Sequence, residues 1–68
     1  MRRIAIDDTM SDAAVEAILR ARLARFDVCV LSVSHDYHVV EITARPAVYR
    51  FPATTKRAAM LAALEFNP

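Results

Sequence analysis

Residues 28–51 open with Val28-Cys29-Val30-Leu31-Ser32-Val33-Ser34-His35-Asp36-Tyr37 and close with Arg45-Pro46-Ala47-Val48-Tyr49-Arg50-Phe51. This stretch decides the fold. Val28 to Val33 is β-branched and nearly continuous in apolar character, so it reads as a central strand. Ser34-His35-Asp36 is a turn. Tyr37 to about Arg45 is a second strand, broken by Arg45-Pro46 because proline cannot donate to a ladder. Ala47 to Phe51 is a third, ended by Pro52. Such short connections make the three strands an antiparallel meander.

Working outward, a helix precedes the meander. Ser11 is a good N-cap, since its hydroxyl can accept an orphan N–H of the first turn, and Thr9 with Asp12 offers a competing cap one turn earlier. Met10 and Val15 then occupy the hydrophobic-staple positions. The helix is expected to reach about Phe26, with Val15, Ile18, Leu19, Leu23 and Phe26 on one face. Glu16 and Arg20 form an i,i+4 pair on the opposite face, and Arg22 snorkels from the apolar stripe. A second helix starts after Thr54 or Thr55 and runs to Asn67, with Met60, Leu61 and Leu64 as its stripe. Arg3-Ile4-Ala5-Ile6-Asp7 alternates and reads as a further short strand at the N-terminus.

The expected class is therefore α+β: one domain over residues 1–68, order β-α-β-β-β-α, a two-layer sandwich with both helices on one face. Alternation then assigns sides. Ile4, Ile6, Cys29, Leu31, Val33, Val40, Ile42, Tyr49 and Phe51 are expected to face the helices. Arg3, Val28, Val30, Ser32, Tyr37, Val39, Glu41, Thr43, Arg45, Val48 and Arg50 are expected to face away.

Composition narrows the function. The 68 residues include no glycine, against about five in an average chain of this length. A P-loop, a dinucleotide-binding turn, a nucleophile elbow and an EF-hand loop all need glycine, so none is encoded. Any left-handed turn position falls to Asp or His. A single cysteine excludes an internal disulfide, and no Cys/His spacing suits structural zinc. The net charge of +1 announces neither nucleic acid nor membrane. No apolar run is long enough to span a bilayer and no signal-peptide pattern is visible, so a cytoplasmic location is expected. Eight of the nine basic residues are arginine and thirteen residues are alanine, which suggests a GC-rich bacterial or phage genome.

Candidate chemistry is sparse. His35, Asp36 and His38 lie close in sequence but lack the spacing of a metal or acid–base site, and read as a polar turn plus a partly buried histidine. Cys29 sits among apolar neighbours and reads as core. Asp8 and Asp12 suit a helix N-terminus. Lys56 and Arg57 do not, because cations there oppose the helix dipole. They could meet a phosphate together with the free N–H groups of the first turn.

From Cys29 onward the chain resembles the double-stranded-RNA-binding domains. The resemblance rests on three strands followed by a helix opening Thr55-Lys56-Arg57-Ala58-Ala59 and continuing Ala62-Ala63-Leu64. It implies nucleic-acid binding with Lys56 and Arg57 as phosphate contacts; Arg50 and the N-terminal arginines are the further contacts expected if the protein binds nucleic acid. Met60 stands at that family's next basic position, and its glycine-bearing loop is reduced here to Ser34-His35-Asp36.

The reading favoured by the sequence is different. A sheet covered by helices on one side leaves its other face for a partner. Tyr37, Val39, Glu41, Arg45, Val48 and Arg50 are the expected partner-binding residues, with Val28 and Val30 in the same β-branched patch. The expected function is a small non-enzymatic protein-binding protein, such as a phage or mobile-element accessory protein that inhibits a host complex. No cofactor, metal or catalytic residue is expected, and a homodimer is one form the partnership could take.

Overall fold

A computed structural model describes residues 9–66. The expected strand over 3–7 lies outside the described residues. Within them the order is α1 (Asp12–Arg22), β1 (Asp27–Ser34), β2 (Tyr37–Ala44), β3 (Ala47–Ala53) and α2 (Lys56–Leu64). The class is α+β, with two helices and a three-stranded antiparallel sheet.

The cap residues set the helix starts. Ser11 Oγ accepts the Ala14 N–H at 3.1 Å, and Thr55 Oγ1 accepts the Ala58 N–H at 3.1 Å. Each hydroxyl satisfies one of the donors that a first turn leaves without a carbonyl. The first helix stops earlier than its apolar periodicity suggests. Leu23 leaves helical geometry as the C-cap, and its N–H closes on the Leu19 carbonyl at 3.0 Å. Phe26 then belongs to the connection rather than to the helix.

The sheet order is β1-β2-β3, so β2 rather than β1 is the central strand of the described sheet. Both hairpins are made without glycine, and no described residue has a positive φ. His35 and Asp36 join β1 to β2, and Ser34 Oγ donates to Asp36 Oδ1 at 2.9 Å across this turn. Arg45 and Pro46 join β2 to β3 through a cis peptide bond, the turn class that places a cis proline at its third position. The left-handed Asp or His expected from the sequence is not used. Pro52 lies within β3 rather than ending it, which an edge strand of the described sheet permits because one side of its backbone faces no strand among the described residues.

Register fixes which side chains share a face. Val28, Ile42 and Tyr49 form one row across the sheet, and Val30, Val40 and Phe51 form the next. Val40 and Ile42 are fully buried in one cluster with Val15, Leu19 and Leu23 before the sheet and Ala59, Met60 and Ala63 from α2. Met10 packs against this cluster, as a staple residue should. On α2 it is Ala59 and Ala63, not Leu61, that flank Met60 in the core; Leu61 is exposed. Small alanines let the helix approach closely, and Met60 fills the gap that remains. Phe66 closes the far end, with Tyr49 at 4.8 Å, Phe26 at 5.7 Å and Phe51 at 6.2 Å between ring centroids.

The expected sides are reversed along β1. Val28 and Val30 face the core, not the open face, while Cys29, Leu31 and Val33 are exposed. Cys29 is therefore not core filler.

Candidate functional site: the open face of the sheet

The alternate residues of the three strands build the second face. Cys29, Glu41 and Arg50 form its middle row. Leu31, Val39 and Pro52 lie on one side of that row, and Asp27, Thr43 and Val48 on the other. Beyond Leu31 the ladder skips a residue: Ser32 pairs with His38 and Ser34 with Tyr37, so Val33 has no partner. Such a bulge bends the strand and re-aims the extra side chain. Val33 is 64% exposed, and Tyr37 nearby is 47% exposed.

The face is graded. At the bulge end Leu31, Val33, Tyr37, Val39 and Pro52 give it apolar character. Val39 is only 6% exposed, yet it lies outside the main core cluster, because the sheet separates the two. Its row partners and Tyr37 flank it. In the middle Arg50 Nε donates to Glu41 Oε2 at 2.8 Å, a direct cross-strand pair. It is largely exposed and contributes little to stability. At the far end a shallow groove is lined by Arg25, Phe26, Asp27, Thr43, Ala44 and Arg45.

Of the expected partner-binding residues, Tyr37, Val39, Glu41, Val48 and Arg50 do share this face. Arg45 stands at its rim, in the turn. Sequence reasoning missed Cys29, Leu31 and Val33. Val28 to Val33 carries almost no alternation, so its phase had to come from pairing with β2.

Of the remaining candidates Asp8 lies outside the described residues, and the histidines and the cations of α2 have the following contacts within the chain. His38 Nδ1 meets Ser32 Oγ at 2.9 Å, and Nε2 meets the His35 carbonyl at 3.2 Å. A carbonyl can only accept, so Nε2 carries a proton, and the ring ties the hairpin together. Lys56 Nζ lies 3.3 Å from Glu16 Oε1, and Arg57 Nη1 lies 3.4 Å from Asp12 Oδ1 and donates to the Met10 carbonyl at 2.6 Å. The two cations at the start of α2 thus face two carboxylates of α1, which offsets their unfavourable position at the helix dipole. Among the described residues no group of three His, Cys, Asp or Glu could hold a metal ion. None of the described helices is long and apolar enough to cross a membrane.

The Glu16 carboxyl is held below its ordinary value of 4.5. The hydrogen bond from Arg20 lowers it most, and Lys56 lowers it further, against a partial desolvation that raises it. The folded chain therefore binds this proton more weakly than the unfolded chain does. Its stabilising effect is complete above about pH 4.5 and is lost as pH falls through the lower folded value. In thermal melts the wild type should lose melting temperature below pH 4.5 more steeply than Glu16→Gln does. Parallel acid dependence in the two proteins would contradict this assignment.

The chain matches no family model, no curated protein and no solved structure.

Proposed function

We propose that the protein is a small non-enzymatic binding protein that acts by laying the open face of its sheet against a protein partner. The observation that carries this reading is the exposure of Leu31, Val33 and Tyr37 beside buried Val39 and exposed Pro52, with exposed Val48 on the same face beyond the Glu41–Arg50 pair. Scattered exposed apolar residues are ordinary, but neighbours on one face resemble the apolar centre and Tyr- and Arg-bearing margin of an interface. The fold is taken as a two-layer sandwich, helices on one side and the partner on the other. Size and composition suit an accessory protein of a phage or mobile element that inhibits a host complex.

Nucleic-acid binding through Arg50, Lys56 and Arg57 is less well supported. It asks these three side chains to leave Glu41, Glu16 and Asp12.

The test uses exposed positions, because a charge at buried Val39 would endanger the fold. Val33→Asp combined with Val48→Asp should keep the far-UV circular dichroism and melting temperature of the wild type. It should weaken self-association, or capture of a protein partner from an extract of the producing cells, by about tenfold or more. Undiminished association in the folded double variant would sink the proposal.

A further inference from the structure

The described lysines and arginines fall into two sets. Arg20, Arg50, Lys56 and Arg57 each have a carboxylate partner. Arg22, Arg25 and Arg45 have none among the described residues. Arg22 ends α1, Arg25 lies in the connection to β1, and Arg45 lies in the turn between β2 and β3. That turn is brought beside the start of β1 by the pairing of Asp27 with Thr43. Arg22 is explained by the negative end of the α1 dipole. Arg25 and Arg45 are not, and they line one groove. The Arg25 guanidinium is oriented there by the Phe26 ring, with its carbon 5.0 Å from the ring centroid.

We infer that this groove is the electrostatic half of the partner surface, and that it takes carboxylates of an acidic protein segment whose apolar residues cover Leu31, Val39 and Val48. This deepens, and rests on, the reading of the open face as a partner surface. The groove and the face are continuous, since Asp27 and Thr43 line the one and form an end row of the other. Two planar guanidinium groups can each grip a carboxylate through paired N–H donors. The apolar end of the same face suits side chains, not phosphates. A duplex would ask for more: tight binding commonly engages six to ten phosphates, whereas this chain has a net charge of +1 and holds Asp27 inside the groove.

The test is a titration of the full chain with tetraglutamate at low and high salt, followed by amide and arginine side-chain NMR. Saturable shifts should centre on Arg25, Thr43, Ala44 and Arg45 and fade with salt. The combined Arg25→Gln and Arg45→Gln variant should bind about tenfold more weakly, while Leu61→Gln, an exposed substitution on α2, binds as the wild type does. Equal affinity in the arginine variant, or shifts that never saturate, would overturn the groove. Neither would touch the open-face reading, because tetraglutamate has no apolar side chain to report on it. Displacement of tetraglutamate by a lower concentration of duplex RNA or DNA would overturn the choice of an acidic protein segment.

Discussion

Leu19→Ala is expected to unfold a large fraction of the molecules at room temperature. Leu19 is among the largest side chains with no exposure, and it sits in the cluster that joins α1 to β2 and α2. Removing its branched end forfeits transfer free energy and leaves a cavity, at a cost of about 3–4 kcal/mol where the surroundings cannot collapse. Collapse is restricted here because Ala59 and Ala63 already bring α2 close. A domain of this size has roughly 3–10 kcal/mol in total. Urea denaturation followed by circular dichroism should show the midpoint falling toward zero denaturant. A midpoint within a few tenths molar of the wild type would mean that Leu19 does not sit where the core description puts it.

The second large effect is expected at Arg57. Its guanidinium reaches across from α2 to the Met10 carbonyl and Asp12, with a side chain only 25% exposed. Arg57→Glu removes the donor from that carbonyl and sets a third negative charge beside Asp12 and Glu16. The favourable meeting of a glutamate with the α2 dipole recovers about 0.3–1 kcal/mol. Loss of a charge-assisted hydrogen bond outweighs it, for a net cost of about 2 kcal/mol. Thermal melts should show the loss, with Arg57→Lys in between. If Arg57 served as a phosphate contact, its replacement would leave the melting temperature unchanged or raise it. The direction of the shift therefore separates the two roles.

The parts of the fold written in local chemistry could be read directly. Ser11 marks one helix start and Thr55 another because a hydroxyl there satisfies a nearby N–H whatever the rest of the chain does. Pro46 ends the second strand for the same local reason. The phase of β1 could not be read, since Val28 to Val33 offers apolar side chains to both faces. It is set at a distance, by Val28 opposite Ile42 and Val30 opposite Val40. This inversion exchanged half of the expected patch, replacing Val28 and Val30 with Leu31 and Val33. The pairing of Lys56 and Arg57 with α1 was hidden likewise, because their partners lie some forty residues away. The placement of Tyr37, Glu41, Val48 and Arg50 on one face was legible because β2 and β3 do alternate.

The turns made at negative φ act on a state that no contact describes. A glycine lets an unfolded chain wander over more conformations than any other residue does, and folding must then suppress them. Where the native backbone stays at negative φ, each glycine replaced by a residue with a side chain restricts the denatured ensemble by about 0.4–1 kcal/mol. Relative to an average chain with about five glycines, the difference is on the order of 2–5 kcal/mol. That is comparable to one of the larger core residues. A domain with so few buried side chains is thus held folded in part by how little freedom its unfolded chain has to regain.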